Sequence, residues 1–225
     1  IPIGVLRTDG RENLITAIEI AVAKDNKGRA AVPGVSLYFQ NRLFRGNRTT
    51  TQSAEELSAF ASNNYPPLAE VGVSIHYNEQ FIARPKSGAE FKVDTALERE
   101  VAIIKIFPGL TESVFRAMLA SGVKGVVLET YGAGNAPTKE WFINALKEAI
   151  AKGVSVVNVT QCSNGAVNMD IYETGVALQK IGVISGRDMT TEAAVAKLYY
   201  LFSLGIDKEE IKIKMEDNLR GELTK

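Results

Sequence analysis

Leu128-Glu129-Thr130-Tyr131-Gly132-Ala133-Gly134-Asn135-Ala136-Pro137 decides how the rest of the chain reads. Upstream of it, Val123 to Leu128 (Val-Lys-Gly-Val-Val-Leu) is a β-branched, apolar run with the character of a buried strand. Downstream, Thr138-Lys139-Glu140 opens a helical periodicity carried by Trp141, Phe142, Ala145, Leu146 and Ala149. Two glycines and a proline therefore sit at the carboxyl end of a parallel-type strand, where open α/β sheets bind their ligands. Gly132 and Gly134 permit positive φ and close backbone approach. That leaves the side chains of Glu129, Thr130 and Asn135 to face a ligand. The same spacing equally serves a tight strand-to-helix turn capped by Thr138.

Outward from this stretch the rhythm is regular as far as Val101. The pattern predicts strands over Val101–Ile106, Val123–Leu128 and Ser155–Val159, and helices over Thr111–Ala120 and Thr138–Ala151. Further helices are expected over Asp170–Ile181 (weakened by Gly175), Thr190–Leu204 and Lys208–Leu219. Strands alternating with helices of this length imply right-handed βαβ units on a parallel sheet. Before Val101 the pattern breaks. Asn63-Asn64, Pro66-Pro67 and Pro85 mark residues 63–100 as a linker with a small hairpin, its strand around Val73–Tyr77. In residues 1–62, Thr8-Asp9-Gly10 offers N-cap chemistry to a helix with Leu14, Ala17, Ile18 and Ala21 on its apolar face. Val35–Phe39 reads as a strand, Gly46-Asn47-Arg48 as a turn within an extended arm, and Ser53–Phe60 as a short helix. The expected division is an amino-terminal domain part at 1–62, the linker at 63–100 and an α/β domain at 101–225.

Composition narrows the function classes. The 225 residues carry 26 Lys and Arg against 26 Asp and Glu, so no basic surface for nucleic acid and no acidic channel is implied. No apolar run approaches the roughly 20 residues that span a bilayer. The single cysteine, Cys162, cannot form an intrachain disulfide and suits a reducing compartment. With no secretory apolar region, a cytoplasmic location is expected. The chain starts Ile1-Pro2 without methionine, so the encoded start is expected further upstream.

Three polar clusters fall at strand ends: Arg45 to Thr51, Glu129 to Asn135, and Thr160-Gln161-Cys162-Ser163-Asn164-Gly165. The second and third follow neighbouring βα units and can converge on one crevice, which suits a small polar ligand. No His or Cys pair has metal-ligand spacing, so neither a metal nor a cofactor is expected. Gly132-x-Gly134 lacks the third glycine of a dinucleotide fingerprint, and there is no Walker sequence. His76, the only histidine, reads as a surface strand residue. Cys162 is a nucleophile only beside a base, and otherwise a small loop residue. Arg45 and Arg48 fit either a carboxylate clamp or a solvated, subunit-pairing arm.

These clusters resemble the cytoplasmic type I L-asparaginases. The matching runs are Leu6 to Leu14, Arg42 to Thr50 (Arg-Leu-Phe-Arg-Gly-Asn-Arg-Thr-Thr) and Tyr131 to Pro137. They continue through Asn158-Val159-Thr160-Gln161-Cys162, Val167-Asn168-Met169, Tyr172-x-Thr174-Gly175 and Asn218 to Leu223, in order along the whole chain. The resemblance implies a two-domain α/β fold with parallel sheets flanked by helices. It also implies hydrolysis of L-asparagine to aspartate and ammonia through a threonine acyl-enzyme, with a Thr-Lys-Asp proton relay. Family members are homodimers or homotetramers whose sites a neighbouring subunit completes. The family's Thr-Gly-Gly-Thr nucleophile loop and Gly-Thr-Asp-Thr motif are absent, so the amino-terminal domain is expected to be incomplete and the chain alone inactive. Thr51 stands where the family has its catalytic lysine, Asn135 maps onto a substrate-binding amide, and Thr50, Glu129, Asn135 and Cys162 map onto the type I allosteric region. Glu129 stands where some members have an arginine that would hold an effector carboxylate, and an acid there reverses the local field. The alternatives are a non-catalytic asparaginase-like sensor, which Thr51 favours, and an amino-acid-binding module of periplasmic type.

Overall fold

The fold is taken from a computed structural model that describes residues 3–85, 88, 90 and 92–224. It contains two compact units, Ile1–Val93 and Asp94–Lys225.

The second unit carries a parallel sheet in the order β10-β9-β8-β7, built from β7 (Val101–Lys105), β8 (Gly125–Thr130), β9 (Ser155–Thr160) and β10 (Ile184–Ser185). Around it lie α2 (Glu112–Leu119), α3 (Glu140–Ala151), α4 (Glu173–Lys180), α5 (Thr191–Ser203) and α6 (Lys208–Glu216). In β8 every second residue serves the same layer, because strand side chains alternate. Val126 and Leu128 join Phe115, Phe142, Leu146, Val156 and Leu178 on one face, while Val127 joins Val157, Val159, Leu198, Leu201 and Met215 on the other. Burial on both faces is why the strand reads as a continuous apolar run. Phe115 and Phe142 stack at 4.5 Å between centroids, with Trp141 edge-on to both. Gly175 sits inside α4 because a Cβ there would lie 2.5 Å from the Met169 carbonyl oxygen. Glycine at that position is a packing requirement.

The first unit contains α1 (Gly10–Val22), a sheet in the order β1-β2-β5-β6, and a two-stranded β3–β4 ribbon. Its strands are β1 (Ser36–Phe39), β2 (Arg42–Arg45), β3 (Thr50–Thr51), β4 (Phe60–Ala61), β5 (Ala69–Val71) and β6 (Ile75–Tyr77), all paired antiparallel. Gln40 and Asn41, at φ 43° and 64°, close the β1–β2 hairpin with the left-handed pair that a two-residue turn requires.

Three expectations are corrected in this unit. The stretch 63–100 is not a linker throughout, since β5 and β6 pair with β2, and Leu68, Ala69 and Ile82 join Ile20 and Leu43 in the core. Residues 86, 87, 89 and 91 of that stretch lie outside the described residues. Ser53–Phe60 is not helical. Ser53 Oγ does accept from the Glu55 and Glu56 N–H groups, but Ala59 O takes the Gln52 N–H at 2.7 Å, and the β3–β4 ribbon wins. Finally, α1 buries Ile20, while Leu14 and Ile18 of the expected apolar face are more than half exposed.

The carboxyl end of the second unit is held by a buried ion pair. Lys197 Nζ lies 2.6 Å from Glu222, whose carboxylate also accepts from the Leu219 and Arg220 N–H groups. Asn218 closes the same turn onto Gly221 N and Leu223 O. Burial pushes the Glu222 carboxyl up, but the Lys197 hydrogen bond and the backbone donors outweigh it and hold it below the usual 4.5. A depressed carboxyl contributes stability that is present above 4.5 and lost as pH falls through its folded value. Glu222→Gln leaves the buried Lys197 ammonium with only the Met215 and Asp217 carbonyls and no counter-charge, and is expected to cost about 3–5 kcal/mol. Urea denaturation should also show the variant losing less stability than the parent below pH 4.5. Equal stability of the two proteins at pH 7 would remove the pair from the account.

Candidate functional site

At the carboxyl ends of the parallel strands, register aligns Lys105 with Glu129 and Thr130 with Thr160. The Glu129–Asn135 and Thr160–Gly165 clusters therefore leave adjacent strand ends on the same edge. Between them lies a polar frame. The Thr130 hydroxyl, fully buried, donates to Asn158 Oδ1 at 2.7 Å, and Asn158 Nδ2 reaches Gly134 O at 3.4 Å. Thr160 Oγ1 donates to Gly132 O at 2.6 Å and accepts the Cys162 N–H at 3.0 Å. Gln161 Nε2 bonds both Ile106 O (2.7 Å) and Glu129 O (2.9 Å), stapling the ends of β7 and β8.

The loop 131–135 is fixed further by its own backbone. Asn135 N donates to Tyr131 O, and Tyr131 N to Asn135 O, closing a small bridge. Gly134 has φ 111°, and a Cβ there would lie 2.9 Å from Val167 Cγ1, so the position excludes a side chain on two counts. Asn168 N donates to Ala133 O from behind. Asn135 emerges half-buried, its Oδ1 accepting from Thr174 Oγ1 at 3.1 Å.

The sequence-level candidates distribute as follows. Glu129, Asn135 and Cys162 lie along this one edge, with Cys162 exposed. Glu129 is not open to a ligand. Thr191 donates to its Oε1 at 2.6 Å, and Lys105 stands 3.9 Å from its Oε2. Thr130 points the other way into the frame, so it too is corrected from ligand-facing to structural. The helix cap expected of Thr138 does not form; Lys139 occupies the N-cap of α3 without a side-chain bond. Thr50 and Thr51 belong to the first unit, on β3, where they pair with Ala61 and Phe60. Thr51 is exposed and Thr50 half-buried. Arg45 and Arg48 are packed rather than solvated: both guanidinium groups lie over the Tyr65 ring, at 5.5 and 5.2 Å, and Arg48 is 2% exposed. His76 is exposed on β6, within 3.3 Å of Ser74 Oγ.

Sequence reasoning gave no role to Asn158, Thr174 or Thr191, and placed Gln161 only as a member of the third polar cluster. Asn158 carried the clearest signal, a lone amide inside Ser-Val-Val-Asn-Val, where a buried polar group must find partners. The 580 Å³ groove between α2 and α3 is not the site. It lies at the amino ends of β8 and β9, and its Arg116 and Lys124 are already engaged by Glu112, Glu148, Glu98 and Glu100.

The family model for the glutaminase/asparaginase C-terminal domain matches residues 100–215, and that for the asparaginase N-terminal domain matches residues 1–83. The chain belongs to the glutaminase/asparaginase family. L-asparaginase 1 of Escherichia coli K12 is 44% identical over all of this chain and 64% of its own length. The 60 kDa lysophospholipase of Mus musculus is 41% identical over all of this chain and 39% of its own. The crystal structure of L-asparaginase I from Vibrio cholerae superposes with a TM-score of 0.90 at 44% identity, over all of this chain and 66% of that one. The chain thus spans just under two thirds of those two asparaginases, and its asparaginase fold extends through both units.

Replacing the Thr130 hydroxyl tests the frame. Thr130→Val leaves Asn158 Oδ1 buried without its donor and is expected to cost about 1–3 kcal/mol, whereas Thr130→Ser should recover most of that loss. The check is urea unfolding of the three proteins. A valine variant as stable as the parent would contradict the frame.

Proposed function

We propose that the protein is an amidohydrolase that converts L-asparagine to L-aspartate and ammonia. The observation that carries the reading is the rigid loop 131–135 at the carboxyl ends of β8 and β9, which offers the Asn135 amide from a family-matched platform. In the family's chemistry a threonine hydroxyl attacks the side-chain amide and ammonia leaves. Water then cleaves the aspartyl ester. The Thr-Gly-Gly-Thr loop that supplies that hydroxyl is not among these 225 residues. Asn135 serves substrate binding in this reading, reaching the site of a neighbouring subunit in a homodimer or homotetramer. No helix of the described residues is long and apolar enough to cross a membrane, and the resemblance to type I enzymes supports a cytoplasmic location.

Thr51 governs how fast such an enzyme runs. A hydroxyl supplies neither the charge nor the reach of lysine, so the relay lacks its cation. At the allosteric region, Glu129 is committed to Thr191 and to Lys105, and an acid there in place of an arginine offers no cation to an effector carboxylate. Thr50 and Cys162 belong to that region by the same resemblance. Thr51 also favours a second reading, a non-catalytic asparagine sensor.

Exchange at position 51 separates the two. Thr51 is exposed on a short ribbon, so lysine fits without displacing a neighbour. In the full-length protein Thr51→Lys is expected to raise asparagine turnover by about 10²–10⁴-fold, the usual contribution of one proton-transfer group, with little change in asparagine binding by calorimetry. Binding without turnover in either form would establish the sensor. Equal turnover in both would remove position 51 from the mechanism.

A further inference from the structure

We propose that Thr174 is a positioning residue for Asn135, holding its carboxamide in the place from which it meets the ligand. The inference rests on the asparaginase reading and names the chemistry that recognises the substrate's carboxylate. Asn135 Oδ1 accepts from Thr174 Oγ1 at 3.1 Å, and among the described residues Asn135 Nδ2 meets no protein acceptor. The two halves of the amide are thereby unequal. The oxygen is spent inside the protein, and the NH2 group is the end available to a ligand, as a donor. A ligand met by that group must bring an oxygen acceptor, and an amino-acid carboxylate is the strongest available, since hydrogen bonds to ionised acceptors are shorter and stronger than neutral ones.

The arrangement depends on how little either partner can move. On one side, loop 131–135 is clamped by the Tyr131–Asn135 bridge, by Thr160 on Gly132 O and by Asn168 on Ala133 O. On the other, Thr174 lies in the first turn of α4, next to Gly175, which is packed so closely on the Met169 backbone that no Cβ fits between them. The Val167–Met169 segment therefore touches both elements, holding the start of α4 and the back of the Asn135 loop at once. β-Branching leaves threonine on a helix two χ1 rotamers, and the one adopted here puts Oγ1 on Asn135. The Asn135 carboxamide is thereby held in place before ligand arrives, with Oδ1 on Thr174 and Nδ2 directed outward. Pre-paid orientation of this kind appears as affinity.

L-Aspartate, the product, is the probe, because it binds without being turned over. Its calorimetric Kd is to be measured on the full-length protein and on Asn135→Ala, Thr174→Val, Thr174→Ser and the Asn135→Ala/Thr174→Val double variant. Thr174→Val is expected to weaken binding about three- to tenfold, the range for one lost neutral hydrogen bond, and Thr174→Ser to stay within about twofold of the parent. The double variant should bind no more weakly than Asn135→Ala alone, because a residue acting only through Asn135 has nothing left to position. A merely structural threonine would instead weaken binding additively in the double variant, which overturns the proposal. So does parental affinity in Thr174→Val. Failure of the parent protein to bind L-aspartate removes the asparaginase reading itself, and the positioning role with it.

Discussion

The hydrogen bond from Thr130 to Asn158, 2.7 Å long and fully buried, is the contact on which the crevice depends. Both residues sit near the ends of neighbouring strands whose buried middles are valine and leucine, where an unsatisfied amide would cost more than the bond itself contributes. Once Thr130 occupies the amide oxygen, the Asn158 NH2 group is aimed at Gly134 O. That contact ties a strand interior to a loop apex. A hydrophobic residue at 158 would keep the sheet and lose this tie, leaving the loop to the Tyr131–Asn135 bridge and its Thr160 and Asn168 contacts.

The same edge of the unit is closed by polar contacts of a different kind. Asp188 accepts from both the backbone and the hydroxyl of Thr224, and the neighbouring Arg187 carbonyl takes the Val167 N–H. Val167 is the residue that leaves no room for a Cβ at Gly134. The carboxyl-terminal turn, held by Lys197 and Glu222, therefore stands behind the loop that carries Asn135, although no residue of that turn lies on the crevice edge.

Much of this was legible in the sequence because the second unit obeys simple periodicities. Strands buried on both faces appear as unbroken β-branched runs, and helices with one apolar stripe appear at 3.6-residue spacing. What escaped was decided by contacts between residues distant in the chain. Ser53–Phe60 has a helix-start signal, but Gln52 and Ala59 pair across the ribbon instead. The hairpin at Gln40-Asn41 was invisible because neither residue is the glycine that usually marks such a turn. At the site, Glu129 and Asn135 stood out as polar residues at a strand end, yet nothing local indicated that Thr191 would occupy one and Thr174 orient the other. Arg45 and Arg48 look like ligands for an anion in any one-dimensional reading, and only the position of Tyr65 shows where they are used.

The most direct test of the account is a crystal structure of the full-length protein with L-aspartate. The account predicts a ligand carboxylate oxygen at about 2.7–3.2 Å from Asn135 Nδ2, with the Thr174 bond to Asn135 Oδ1 intact and the loop 131–135 unmoved. Aspartate seated in the groove between α2 and α3, or an Asn135 side chain turned to present its oxygen, would contradict it.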